Sequence, residues 1–101
     1  MSKVTAAHRT LNVLVALKGH SLNGLSNSEL AQGLNETPVN ITRALAVLQD
    51  VGLVTKLETG RFVLSITMLQ IAQAHANEVD RAQNRIMELN QRVAAGAAAY
   101  N

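Results

Sequence analysis

Aromatic side chains are almost missing from this chain of 101 residues, which has one Phe, one Tyr and no Trp. Its core must therefore be built from Leu, Val, Ile and Ala, a composition that suits helices. Cysteine is absent, which excludes disulfides and thiolate metal sites. The sequence also has no run of about 18 apolar residues, so no segment is expected to span a membrane.

Signals for secretion and for catalysis are missing as well. The first ten residues, MSKVTAAHRT, lack the apolar stretch of a signal peptide, which predicts a cytoplasmic protein. The three histidines, at positions 8, 20 and 75, show no ligand-like spacing, and there is no paired carboxylate motif or glycine-rich phosphate loop. We expect neither an enzyme nor a bound metal, cofactor or small-molecule effector.

Charge gives a weak hint about the partner. The net charge is +2, and residues 1–61 hold six Lys/Arg against four Asp/Glu, whereas residues 62–101 hold three of each. An anionic partner would meet the first part of the chain, although ordinary surface charge explains the same numbers.

Helical periodicity predicts three helices in the first half of the chain. The first covers residues 4–17, with Leu11, Leu14 and Val15 facing inward. The second opens with the capping box Ser26-Asn27-Ser28-Glu29 and closes near Asn35, because asparagine tolerates the left-handed conformation. The third covers residues 38–51, capped by Thr37 and stopped by Gly52. The inward residues of the second and third helices are Leu30, Ala31, Leu34, Ile41, Leu45 and Leu48.

The hydrophobic periodicity then changes from that of a helix to that of a strand, and later returns to that of a helix. Residues 53–57 (LVTKL) and 61–64 (RFVL) are β-prone and flank a turn, which predicts a hairpin. From residue 66 to about 93 the helical period returns, and residues 96–101 are expected to form a disordered tail. We therefore predict a mostly α fold with one domain at 1–65 and a C-terminal helix at 66–95.

The order helix, helix, helix, hairpin, long helix is typical of a winged helix-turn-helix. Ala31, Asn35 and Ile41 match the small residue, the left-handed turn residue and the apolar anchor that such a motif needs. The motif places its third helix in the major groove of double-stranded DNA, with the hairpin as the wing. Its predicted DNA-binding residues are Ser26, Asn27, Ser28, Thr37, Pro38, Val39, Asn40, Thr42, Arg43, Lys56 and Arg61.

Each group of those residues has a chemical role. Asn40 and Arg43 carry donors that read purine edges, and Val39 suits a thymine methyl. Lys56 and Arg61 flank the hairpin turn, where they could meet phosphates or the minor groove. The capping segment 26–28 offers hydroxyl, amide and helix N-terminal groups to a phosphate. Taken singly, each residue has an equally good structural explanation; their order along the chain favours the DNA-binding one.

Three segments, RTLNVLVAL, LSNSELAQGLNETPVNITRALAVLQDVGLV and GRFVLSITMLQIAQAH, resemble the N-terminal domain of isocitrate lyase regulator (IclR)-type transcription factors. The resemblance covers about residues 9–76 and implies a bacterial or phage regulator that binds palindromic operators as a dimer. Pro38 and Val39 stand where that family usually has Lys and Ser, and no counterpart of its effector domain follows.

The long helix carries an apolar stripe that predicts a homodimer. Its members recur at three- and four-residue steps: Leu69, Ala72, Ala76, Val79, Ile86 and Val93. The polar Gln83 and Asn90 interrupt the stripe and could set its register. Two alternatives stay open: the helix could fold back on the first helix, and the whole domain could be a protein-contact module that binds no DNA.

Overall fold

The computed structural model describes residues 5–100 of the chain. The helices in the first half are α1 (Ala6–Ala16), α2 (Asn27–Leu34) and α3 (Pro38–Asp50). They are followed by the strands β1 (Val54–Lys56) and β2 (Phe62–Leu64) and by the long helix α4 (Ile66–Ala99). This order confirms the predicted mostly α architecture with one hairpin.

Local capping explains where α2 and α3 begin. The Ser26 hydroxyl accepts a hydrogen bond from the Glu29 amide at 3.1 Å, and the Ser26 amide donates to the Glu29 carboxylate at 3.0 Å. Thr37 caps α3 in the same way by accepting from the Asn40 amide at 3.2 Å. Both caps were predicted, because short oxygen side chains satisfy the free amides of a first turn.

The turn between α2 and α3 depends on one unusual backbone conformation. Asn35 has φ 53° and ψ 50°, and within residues 5–100 it is the one residue other than glycine with a positive φ. Its left-handed conformation ends α2 and lets the Glu36 amide donate to the Ala31 carbonyl at 2.9 Å. The predicted role of Asn35 as the turn residue is confirmed.

The core lies between the three short helices and the hairpin. Ile41, Leu45 and Leu48 of α3 are buried as predicted, together with Ala44. The other buried apolar residues of this core are Val13, Leu17, Leu30, Ala31, Val54 and Phe62. Because nearly every side chain in it is aliphatic, the core depends on close packing of branched residues rather than on aromatic rings.

The predicted inward face of α1 was wrong. Val13 and Leu17 are fully buried, Leu14 is partly buried, and Leu11 and Val15 are 59% and 64% exposed. Residues 11–17 are apolar except at position 12, so periodicity alone could not choose between the two faces. Packing against α3 makes that choice, and it leaves two large apolar side chains in water.

The predicted hairpin is confirmed, and its two strands are antiparallel. Val54 pairs with Leu64, and Lys56 pairs with Phe62. An additional bridge joins Leu25, before α2, to Phe62, with backbone hydrogen bonds of 3.0 and 2.8 Å. Sequence periodicity could not reveal this bridge, because one bridging residue is too short to show a strand period.

The chain divides into two units, the first ending at Leu69 and the second beginning at Gln70. The boundary therefore falls within α4 and not at its first residue. Buried Ser65 explains this, because its hydroxyl donates to the Gly52 carbonyl at 2.7 Å and accepts from the Met68 amide at 3.1 Å. These two bonds tie the first turn of α4 to the first unit.

The second unit consists of the remainder of α4. No side chain of α4 is buried. The helix continues to Ala99, so residues 96–99 are helical where the sequence predicted a disordered tail. Alanine has the highest helix propensity, and the run of alanines around Gly96 offsets the cost of the glycine. Asn101 lies outside the described residues.

Candidate nucleic-acid interface

The exposed surface of α3 is the centre of the candidate site. Its buried face fixes the helix, and the opposite face presents Val39, Arg43, Ala46 and Asp50 to water. Val39 is 59% exposed and Val47 is 51% exposed. The helix therefore shows solvent a narrow surface of mostly small or apolar side chains with one arginine.

A contact between α2 and α3 closes the helix-turn-helix. The Asn27 side-chain amide donates to the Thr42 hydroxyl at 2.8 Å and to the Pro38 carbonyl at 3.3 Å. The Thr42 hydroxyl in turn donates to the Pro38 carbonyl at 2.9 Å. Asn27 and Thr42, both predicted to touch DNA, thus hold each other in place at the surface and fix the angle between the two helices.

A surface groove separates α3 from the hairpin. Polar atoms line both of its sides, and Lys56 lies on the hairpin side. The Lys56 ammonium is 5.8 Å from the centre of the Phe62 ring, within cation–π range. The residues that line the groove are Asn27, Thr42, Leu45, Ala46, Gln49, Lys56, Gly60 and Phe62.

Arg43 lies on the other side of the exposed α3 surface, where α3 meets α1. It lines a shallow depression together with Arg9, Thr10, Asn40 and Val47. Within residues 5–100 the Arg43 guanidinium makes no hydrogen bond or ion pair. Arg43 and Lys56 therefore do not meet at one point, and within the described residues neither of them forms an ion pair.

Asn40 is less available than the sequence suggested. Its side-chain amide donates to a Glu36 carboxylate oxygen at 3.2 Å, and the other oxygen of Glu36 lies 3.0 Å from Arg9 Nε. The buried Nε–H is poorly aligned with that oxygen, so this contact is an ion pair more than a hydrogen bond. Arg9 first and Asn40 second lower the pKa of Glu36. Sequence periodicity could not reveal this network, which joins α1 to α3.

All three guanidinium nitrogens of Arg61 contact acceptors within the protein. Its Nε donates to the Asn23 carbonyl at 2.9 Å, and Nη2 donates to the Gly24 carbonyl at 2.9 Å. Its Nη1 lies 2.7 Å from a Glu29 carboxylate oxygen. The structure therefore places Arg61 at the junction between the hairpin and the start of α2, whereas the sequence suggested a free charge beside the turn.

The remaining predicted residues serve mainly as caps. Ser26 and Thr37 use their hydroxyls to begin α2 and α3, as described above, and Pro38 occupies the first turn of α3. Ser28 is exposed in the first turn of α2. The described residues hold no cluster of metal-ligating side chains, and none of the helices in that part of the chain is long and apolar enough to cross a membrane.

Comparison with known proteins shows the fold. The chain is similar to the structure of CymR (YrzC), the global cysteine regulator of B. subtilis, with 23% identity and a TM-score of 0.54 over 63% of this chain and 51% of that one. It is also similar to a point mutant of Lactococcus lactis ZitR, with 20% identity and a TM-score of 0.50 over 91% of this chain and 65% of that one.

The chain thus spans about half of CymR and just under two thirds of ZitR. No family model matches the sequence, and no curated protein matches it either. At these identities the likeness shows architecture. Together with the helix-turn-helix contacts and the hairpin, it establishes a mostly helical, winged helix-turn-helix fold that ends in a long helix.

Proposed function

We propose that this protein is a sequence-specific regulator that binds double-stranded DNA with α3 in the major groove. The observation that carries the proposal is the exposed α3 surface, which is narrow, presents Arg43 among small or apolar side chains and has Lys56 beside it on the hairpin. Within residues 5–100 neither of these two cations forms an ion pair. An α-helix fits the major groove, where a cation on the helix can reach a base edge and a cation beside it can reach a phosphate.

The neighbouring acidic groups support this assignment. Glu29, which lies in α2, and Glu36, which lies in the turn before α3, are each paired with an arginine, Arg61 and Arg9 respectively. Pairing reduces their repulsion toward an anionic partner. Asp50, the acidic residue of α3, lies at the C-terminal end of that helix. It is therefore away from the N-terminal residues that reach base edges in helix-turn-helix proteins.

The contacts divide into three groups. Arg43 reads a base edge, with guanine O6 and N7 as its best acceptors, and Val39 meets a thymine methyl. Lys56 neutralises a phosphate from the wing. Ser28 and the first turn of α2 lie where a backbone phosphate can dock. Asn27, Thr42 and Asn40 act mainly by holding α3 in place, and each keeps polar atoms for a neighbouring phosphate or base.

The second part of the proposal is a homodimer formed through α4. Positions 69, 72, 76, 79, 83, 86, 90 and 93 recur in steps of three and four, which is the heptad spacing of a coiled-coil seam. Val79, Ile86 and Val93 on this stripe are 42%, 58% and 61% exposed. Association of two helices would bury these side chains, and each Å² of apolar surface removed from water would stabilise the dimer by about 25 cal/mol. Two copies on a palindrome would also double the contacts with DNA.

We also propose that this regulator is related to the IclR-type transcription factors. This relationship is supported by the matching segments from Arg9 to Ala76 and by the confirmed capping box, turn residue and hairpin. Pro38 and Val39 depart from that family's usual Lys and Ser. This departure predicts weaker phosphate binding at the start of α3 and a correspondingly shallower dependence of binding on salt.

Selection from a pool of random duplexes, followed by titration of the recovered site, tests DNA binding. We expect an enriched sequence with two inverted half-sites and an affinity that falls steeply as salt rises. Failure to enrich any sequence, with no duplex shifted even at low salt, would contradict the proposal.

Sedimentation equilibrium tests the dimer. The full chain should sediment as a dimer at tens of micromolar, and Ile86→Glu should shift it toward monomer because a charge enters the seam. Asn84→Glu is the matched control, since it adds the same charge two residues away on the opposite side of α4. A wild-type monomer under these conditions, with or without DNA, would remove the dimer.

A protein-contact module, such as an adaptor or antirepressor, is the second candidate. The exposure of Val39 and Val47 and the net charge of +2 favour it. The two candidates differ in salt dependence. Counterion release makes DNA binding fall with salt, whereas a contact based on apolar α3 residues would change little.

A further inference from the structure

The junction between the hairpin and the start of α2 is held by a single guanidinium. Arg61 directs Nε and Nη2 at the carbonyls of Asn23 and Gly24, and Nη1 at the Glu29 carboxylate, all within 2.9 Å. Three acceptors from two chain segments thus converge on one planar group. Such a planar fork is specific to arginine, because a lysine ammonium has no comparable fixed geometry.

Glu29 has a double role at this junction. One oxygen, Oε1, accepts from the Ser26 amide at 3.0 Å and also faces Arg61 Nη1 at 2.7 Å. The Ser26 amide first and Arg61 second lower the pKa of the Glu29 carboxyl. The same oxygen therefore closes the cap of α2 and holds the hairpin arginine, so the start of the helix and the hairpin share one acceptor.

The backbone of the loop before α2 lies very close to the backbone of β2. Leu25 and Phe62 exchange two backbone hydrogen bonds, of 3.0 and 2.8 Å. Gly24 has φ +71°, and a Cβ on it would lie 2.4 Å from the Phe62 carbonyl oxygen. The loop before α2 is therefore packed directly on β2. Arg61 immediately precedes Phe62 in the chain, and its side chain is bonded to that loop.

We propose that Arg61 is a positioning residue that couples the wing to the helix-turn-helix and touches no DNA. This rests on the proposed function and reassigns one of its expected phosphate contacts. Arg61 fixes the adjacent Phe62, which is the register partner of Lys56 and carries the Lys56 ammonium over its ring. Through that chain of contacts Arg61 sets where the wing cation stands relative to α3.

Salt titrations distinguish a positioning residue from a phosphate contact. Arg61→Gln should lower affinity for the selected site by roughly twofold to 150-fold, the fold-change for couplings of about 0.5–3 kcal/mol between neighbours that share one network. Lys56→Gln should flatten the slope of log K against log salt by about one unit, and adding Arg61→Gln to Lys56→Gln should leave that slope unchanged, because a positioning residue acts through Lys56. A further flattening by one unit in the double variant would show that Arg61 binds a phosphate itself and would overturn the proposal.

The shared carboxylate allows a second test. Glu29→Gln should weaken binding as Arg61→Gln does, and the double variant should be little worse than either single one, because both remove the same coupling. Independent, multiplicative losses would contradict the coupling. Arg61→Lys should fail to restore wild-type affinity; full rescue by lysine would show that only the charge matters.

Amide hydrogen exchange in the absence of DNA separates this inference from the proposed function. In Arg61→Gln the Leu25 and Phe62 amides should exchange faster while the Ile41 amide keeps its protection, since only the junction is released. Equal acceleration at all three amides would reduce Arg61 to a general stabilising residue and overturn the inference. A wild-type chain that binds no duplex would defeat the proposed function and leave this readout intact.

Discussion

The helices α3 and α4 both present apolar side chains to water, yet their environments differ in kind. Four of the thirteen residues of α3 are buried, whereas none of the 34 residues of α4 is. The core of the first unit holds α3 in place, so its exposed face is free to serve a partner. Within residues 5–100 no core of this kind buries any residue of α4, and the order of this helix rests on helix propensity and on any partner that covers its stripe.

The neighbours of an exposed apolar residue indicate which kind of partner it suits. On α3 such residues lie beside the cations Arg43 and Lys56 and a groove, which suits a polyanion. On α4 they recur along several heptads, which suits another helix. The comparison can be tested by making the same substitution in both helices.

The largest effect is expected for a matched pair of isoleucines. Ile41 is 0% exposed and Ile86 is 58% exposed. Ile41→Ala should lower the free energy of unfolding by about 2–5 kcal/mol, because it leaves a cavity in the core. Ile86→Ala should act only through association, so its effect should grow with protein concentration. Urea unfolding at two concentrations measures both, and a large, concentration-independent loss for Ile86→Ala would contradict the contrast.

A matched pair of arginines gives the next largest effect. Arg43→Ala should weaken binding to the selected duplex by about 1–3 kcal/mol, the value of a good base contact, and barely change stability. Arg85→Ala removes the same charge from α4 and should change specific binding much less. Fluorescence anisotropy with labelled duplex measures both. Equal losses would mean that α3 contributes charge alone.

Loss of a cap should have a smaller effect on stability. Ser26→Ala removes the hydroxyl that accepts from the Glu29 amide, which should cost about 1 kcal/mol. The cost should come mainly from α2, so thermal unfolding should shift while the far-ultraviolet signal of α4 persists. A substitution without effect on unfolding would show that the Arg61–Glu29 contact holds the start of α2 by itself.

The smallest effect is expected for the loss of folding stability at acid pH. The pKa values of Glu29 and Glu36 are lowered in the folded state, so the unfolded chain binds their protons first as the pH falls. Their contribution to stability is therefore complete above the ordinary carboxyl pKa and is lost as the pH falls through the folded values. Denaturation across pH 3–7 should show a shallower acid loss in Glu36→Gln than in wild type; identical profiles would contradict this assignment.

The sequence predicted those features that depend on local chemistry. Ser26, Thr37, Asn35 and Gly52 mark helix ends because each satisfies free backbone groups or adopts a positive φ. The β-prone apolar run at 62–64 and the helical stripe of α3 depend on neighbours in the chain. These signals were enough to predict the order of the elements and the buried face of α3.

What the sequence missed depends on contacts between distant segments. Arg61 meets Asn23, Gly24 and Glu29 more than thirty residues away, and Arg9 meets Glu36 across α1 and α3. No spacing rule links such pairs, so Arg61, predicted as a DNA contact, proved to be bonded to distant parts of the protein. Asn27 and Thr42, also predicted as DNA contacts, likewise proved to be bonded to each other across α2 and α3. The face of α1 was missed because Leu11 and Val15 are as apolar as the residues that pack inside.

The ratio of two affinities tests the central claim that the exposed face of α3 reads DNA sequence. Wild-type protein is titrated at near-physiological salt with the duplex recovered by selection and with a scrambled duplex of the same length and composition. The account predicts that the selected duplex binds at least about a thousandfold tighter, the lower range for specific regulators. Equal affinity for the two duplexes, or no binding to either at low salt, would contradict it.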